Sequence, residues 1–185
     1  MTIQQAMQAR HSVRAYEDRA IEPELREKLQ AELAACNEAG GLNMKLVFDE
    51  PKAFSAFMAR YGKFSGVRNY VVVAGKKADD LNERAGYWGE KFVLAAQSLG
   101  LNTCWVALTF GKGAAKKFAG LGRGDKLVCT VALGYGKTQG VAHKSRSLDE
   151  VIVSKGAPEW FLRGAEAALL APTAVNQQKF RFTLA

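Results

Sequence analysis

Two short stretches of the chain set cations around a hydroxyl: Arg10-His11-Ser12-Val13-Arg14 near the start and Lys144-Ser145-Arg146 in the last third. If the backbone is extended, alternate side chains share a side, so Arg10, Ser12 and Arg14 would project together. Two guanidiniums flanking a hydroxyl suit a phosphate monoester, because a charge-assisted hydrogen bond to such an anion contributes about 1.5 to 3 kcal/mol. The same residues would serve equally as solvated surface arginines. The second stretch closes a segment, Gly134 to Arg146, that carries Lys137, Lys144 and Arg146 and no acid. A third polar cluster, Ala171-Pro172-Thr173-Ala174-Val175-Asn176-Gln177-Gln178, offers neutral donors and acceptors, and reads otherwise as an ordinary helix-to-strand connection.

Other chemistries fail on spacing. Gly136-Lys137-Thr138 ends like a phosphate-binding loop, but the first glycine that loop needs would fall at Val131. Gly134-Tyr135-Gly136 lacks the small residue of a dinucleotide fingerprint, since Gln139 stands there. Zinc-ligand spacing and a Gly-x-Ser-x-Gly elbow are both missing. Cys36, Cys104 and Cys129 are widely spaced in apolar sequence, which predicts reduced core thiols.

The elements that must position these residues can be read from periodicity. Pro23 to about Glu38 predicts a helix with Leu25, Leu29 and Leu33 on one face, stopped by Gly40-Gly41. A second helix is expected from about Asp79 to Ser98, and a third from Pro158 until Pro172 stops it. A short amphipathic helix precedes Arg10. Strand composition marks Met44 to Phe48, Tyr70 to Ala74, Thr103 to Leu108, Leu127 to Leu133 and Lys179 to Leu184. Strands interleaved with helices imply a mixed sheet with helices packed on it. The 185 residues, 48% of them hydrophobic, suit a single domain over 1–185. No apolar run approaches the roughly 18 residues of a membrane span. The start lacks the apolar stretch of a signal peptide, so a soluble, cytoplasmic protein away from membranes is expected. The net charge of +8 would aid capture of anionic small molecules or simply keep the protein soluble. With Trp88, Trp105 and Trp160 it also raises nucleic-acid binding, but basic and aromatic residues do not interleave in an RNA or DNA motif, so no nucleic-acid partner is expected.

Taken together, four segments resemble the FMN-dependent nitroreductase family. Arg10-His11-Ser12-Val13-Arg14-Ala15-Tyr16 resembles its opening motif, and Leu99-Gly100-Leu101-Asn102-Thr103-Cys104-Trp105-Val106 the Gly-Leu-Gly-Thr-Cys-Trp run after its central dimer helix. Leu133-Gly134-Tyr135-Gly136 with Lys144-Ser145-Arg146 resembles its closing strand and basic clamp, and Ala171 to Gln178 its Ala-Pro-Ser-x-x-Asn-x-Gln motif. In typical members that last motif follows the first long helix. Here Ala34 to Gly41 holds that position and the motif stands near the C-terminus, as in a compact nitroreductase-like subgroup.

The resemblance implies an α+β fold with a central, mainly antiparallel mixed sheet flanked by helices, and a homodimer with cofactor at the interface. It implies that Arg10, His11, Ser12, Lys144 and Arg146 belong to the FMN phosphate and ribityl site. Arg14 would face the pyrimidine edge of the ring, where a fixed cation stabilises the charge that reduction leaves there. Ala107 and Leu108 would lie near N5, and Pro172, Thr173, Asn176 and Gln178 on the other side of the cofactor, of the same subunit or its partner. The implied activity is hydride transfer from NADH or NADPH to flavin N5, then electron transfer to a small-molecule acceptor such as a nitroaromatic, a quinone or a free flavin. A flavin carrier or sensor without turnover is the alternative with the same cofactor. Catalysis would need no protein acid or base, and no metal.

Overall fold

The computed structural model describes residues 1–55 and 61–184. Four strands, β1 (Lys45–Val47), β2 (Asn69–Lys76), β3 (Asn102–Val106) and β4 (Asp125–Gly134), form one sheet in the order β1-β2-β4-β3, and each pairing is antiparallel. Among the described residues the helices are α1 (Ile3–Ala9), α2 (Pro23–Gly40), α3 (Lys52–Ser55), α4 (Leu81–Ser98), α5 (Lys112–Ala119), α6 (Leu148–Val151) and α7 (Glu159–Leu169). The α+β architecture, with an antiparallel sheet flanked by helices, is the one the sequence implies.

Strand β2 is buried from Asn69 to Gly75 because both sheet faces are covered. Tyr70, Val72 and Ala74 enter one core with Phe54 of α3 and Ala115 of α5. Val71 and Val73 enter the other, with Leu29 and Leu33 of α2 and Phe92 and Val93 of α4. A strand covered on both sides reads as a continuous apolar run, so Tyr70 to Ala74 shows no polar alternation.

Helix α2 starts with Pro23 at its first position and is capped by Gly41, whose N–H reaches the Asn37 and Glu38 carbonyls. Helix α5, absent from the expected elements, is only two turns long and buries just Ala115 and Ala119. The strand expected over Lys179 to Leu184 is absent. That segment makes one bridge, between Phe182 and Ile152, because its backbone groups are taken by the Val151–Val153 segment outside the sheet: Phe182 N–H donates to the Val151 carbonyl at 2.7 Å and its carbonyl accepts from Val153 N–H at 2.9 Å. Cys36, Cys104 and Cys129 are all buried free thiols.

Tyr135, one residue past β4, ties the following loop to the start of α2. Its hydroxyl donates to the Glu22 carboxylate, which also accepts from Arg19 at 2.6 Å. These two bonds hold the Glu22 carboxyl down at about 2, against 4.5 ordinarily. An acid depressed by folding contributes stability that is fully present above its unfolded pKa and is lost as pH falls through the folded value. Wild type should therefore melt above Glu22→Gln near neutral pH, and the two midpoints should converge between pH 4.5 and 2. A gap that persists unchanged to acid pH in thermal scans would contradict this role.

Candidate functional site

The N-terminal motif lies between the edge of β3 and the loop after β4. Val13 donates its N–H to the Thr103 carbonyl at 3.0 Å. On the other side Glu17 N–H reaches the Tyr135 carbonyl at 2.8 Å, and Lys137 N–H the Ala15 carbonyl at 2.9 Å. Buried Asn102 fixes the loop further, accepting from Gly136 N–H and donating to the Gln139 side chain, both at 3.0 Å. Gly140 then passes so close that a Cβ on it would lie 2.7 Å from the His11 Cβ, and its φ of +74° suits glycine alone among small residues. This close approach carries the chain toward Lys144 and Arg146.

The expected alternation holds from Ser12 to Arg14. Val13 is core, Ser12 lies beside the Cys104 thiol, and Arg14 is exposed with its charge near the same thiol. Burial raises the Cys104 pKa, while Arg14, Ser12 and Arg10 oppose it. Arg10, the C-cap of α1, is itself extended (φ −73°, ψ 117°) and its charge also acts on that thiol, while its side chain packs against α4. Its side chain is 3% exposed, with Nε 3.3 Å from Glu90 Oε1 on α4 and Nη2 donating to the Leu170 carbonyl at 3.4 Å. Nη1 is buried with no partner. A buried guanidinium with an unspent donor fits an anion such as a phosphate oxygen.

Both histidines of the chain are here. His143 Nε2 donates to the Leu169 carbonyl at 2.9 Å at the end of α7. His11 has its pKa lowered by burial first, then by the nearby charges of Arg10 and His143.

The C-terminal motif meets the basic loop. Gln178, 2% exposed, donates to the Lys144 carbonyl at 2.7 Å and accepts from Arg146 N–H at 2.9 Å. Asn176 donates to the same Lys144 carbonyl at 2.8 Å, and Thr173 Oγ1 accepts from Gln178 N–H at 3.0 Å. Val175, Asn176 and Gln178 all have positive φ, at 46°, 55° and 47°. Local strain of this kind is tolerated where surrounding bonds over-determine the backbone. These amides therefore position the Lys144–Arg146 backbone. Pro172 is half-buried beside them. Ala107 and Leu108 stand beyond the end of β3, with Leu108 70% exposed.

Periodicity and motif spacing give no sign of Glu90. It sits mid-helix, and only the fold brings it against Arg10 and Trp105, whose indole N–H donates to Glu90 Oε2 at 2.7 Å. His143 is equally silent, and Asn102 stands within the Leu99–Val106 segment without a role assigned to it there. No metal-binding group of His, Cys, Asp or Glu occurs among the described residues. Among those residues no helix is long and apolar enough to cross a membrane.

A mainly antiparallel sheet between helical layers, with a basic N-terminal motif laid along its edge, is the architecture of the nitroreductases. The family model described as "Putative TM nitroreductase" matches residues 2–185, and the chain belongs to that family. Among solved structures it is similar to a nitroreductase from Thermotoga maritima, at 21% identity and TM-score 0.65, covering 100% of this chain and 72% of that one. A nitroreductase from Desulfovibrio desulfuricans in complex with FMN gives 19% identity and TM-score 0.68, over 85% of this chain and 99% of that one. A variant of an FMN- and NADPH-dependent nitroreductase from Sphigopyxis sp. strain HMH gives 17% and 0.65, over 85% and 100%. No curated protein matches the sequence.

Proposed function

We propose that this chain is a single-domain FMN-dependent oxidoreductase of the cytoplasm, which oxidises NADH or NADPH and reduces a small acceptor such as a nitroaromatic, a quinone or a free flavin. The observation that carries the reading is the buried Arg10 guanidinium with an unpartnered Nη1, beside a basic loop pinned by Asn176 and Gln178. Family membership and the FMN named for two structural relatives support it.

Arg10, Ser12, Lys144 and Arg146 would hold the phosphate and ribityl end, with His11 packed beneath. FMN would supply two-electron hydride chemistry at N5. Arg14, exposed and anchored through its carbonyl to Ser65 N–H at 2.9 Å, would set a fixed positive charge at the pyrimidine edge. Ala107, Leu108, Pro172 and Thr173 would shape the remaining walls and exclude water. The residues thus supply position and charge, which is what hydride transfer at close approach requires.

Arg14→Ala should lower the flavin midpoint potential and change FMN affinity little, since the charge acts mainly on the reduced ring. A potentiometric titration in which the midpoint stays put would reject that role. The protein would act as a homodimer: in the isolated chain Trp160 is 68% exposed, as is Tyr87 on α4, the helix matching the family's central one. Sedimentation should give about twice the 20.1 kDa chain mass at micromolar concentration, and the monomer mass with FMN bound would contradict it.

Anaerobic mixing of the FMN complex with NADH and with NADPH tests the function. Bleaching of the visible flavin absorbance by either, with reoxidation by a quinone or nitroaromatic, is expected. Flavin that stays oxidised with both would assign a carrier instead.

A further inference from the structure

Glu90 is held from two sides. Its Oε2 accepts the Trp105 indole N–H at 2.7 Å, and its Oε1 lies 3.3 Å from Arg10 Nε. Trp105 is itself seated tightly, because a Cβ on Gly89 would come within 2.5 Å of its ring. The carboxylate is therefore presented to Arg10 in a fixed place. Arg10 in turn is neutralised by this single acid, while its hydrogen-bonding capacity is left unfilled: Nη2 makes one long bond to Leu170 and Nη1 makes none. Arg10, Glu90, Leu94, Leu170 and Ala171 line a cavity of about 40 Å³, room for a few water-sized groups and too small for a flavin ring.

We propose that Glu90 is the internal counter-ion of Arg10 at Nε, against whose charge the phosphate of a phosphorylated flavin must bind at the open Nη1 and Nη2 side, so that this carboxylate sets how strongly FMN is preferred over riboflavin. The proposal rests on the flavin reading above. A guanidinium buried without an anion is costly, and Glu90 meets that cost in the free protein. Once a phosphate arrives, the carboxylate becomes a like charge on the same cation, and repulsion at such separations in a protein interior outweighs the loss of one orienting bond. Trp105 keeps the carboxylate hydrogen-bonded throughout. Burial raises the Glu90 pKa, and the charge of Arg10 and the Trp105 hydrogen bond oppose that rise.

Glu90→Gln preserves shape and removes the charge. Titrated by flavin fluorescence at fixed salt, the variant should bind FMN about tenfold or more tighter than wild type, with riboflavin within about twofold. FMN binding that is unchanged or weaker, or riboflavin tightening by the same factor, overturns the proposal. A merely structural acid would not separate the two ligands. Should the variant fail to fold, wild type decides. The Trp105 indole ¹⁵N–¹H signal, identified by its loss in Trp105→Phe, should move on adding inorganic phosphate but not chloride at equal ionic strength, and a signal that phosphate does not move overturns the proposal. Wild type that binds neither flavin overturns both the proposal and the flavin reading. Wild type that binds FMN, with affinity lost in Arg10→Ala yet unaltered in Glu90→Gln, overturns the counter-ion role alone.

Discussion

Replacing Arg10 and Arg146 together with alanine should weaken FMN binding at least about a hundredfold. Each charge-assisted bond to phosphate contributes about 1.5 to 3 kcal/mol, so losing two costs about 3 kcal/mol or more. Riboflavin has no phosphate and should bind wild type and variant almost alike, which separates a lost clamp from a damaged pocket. Arg10→Ala also leaves the half-buried Glu90 carboxylate without its counter-ion, so circular dichroism must accompany the titration to confirm that the variant is folded. FMN affinity unchanged in a folded double variant would reject the clamp.

Gln178→Ala should destabilise the protein by about 2 to 4 kcal/mol and weaken FMN binding through the basic loop. The amide makes three bonds, to the Lys144 carbonyl, the Arg146 N–H and the Asn176 side chain, from a position 2% exposed. Each partner left unsatisfied out of water costs about 1 to 3 kcal/mol, and the exposed Lys144 end recovers part of this from solvent. Gln178 also has a φ of +47°, so Gln178→Gly relieves the backbone while losing the same bonds. Urea unfolding should then place Gln178→Gly between wild type and alanine. A Gln178→Ala variant as stable as wild type would show that the amide does not hold the loop.

Where local chemistry dictates structure, the fold was legible in the sequence. Helix α2 is announced by Pro23 and by Leu29 and Leu33, and α4 and α7 by their apolar stripes. Strands β2 and β4 are announced by apolar runs that only burial on two faces permits. Lys179 to Leu184 misled because composition records a tendency to extend and says nothing of a free sheet edge. Helix α5 was missed, being only two turns long and burying just Ala115 and Ala119.

In the site, Arg10, Lys144 and Arg146 were legible as types, while their geometry was not. Arg10 is held inward by Glu90 of α4 and the Leu170 carbonyl, and the C-terminal amides address the backbone of the loop rather than open space. Glu90 is set by a meeting of α1, α4 and β3 that no local pattern encodes.

Equilibrium titration of the purified chain with FMN, followed by flavin fluorescence, tests the central claim most directly. The account predicts saturable binding at one FMN per chain that excess riboflavin displaces poorly. Fluorescence that stays at the free-flavin level throughout, or riboflavin competing as an equal, would contradict it.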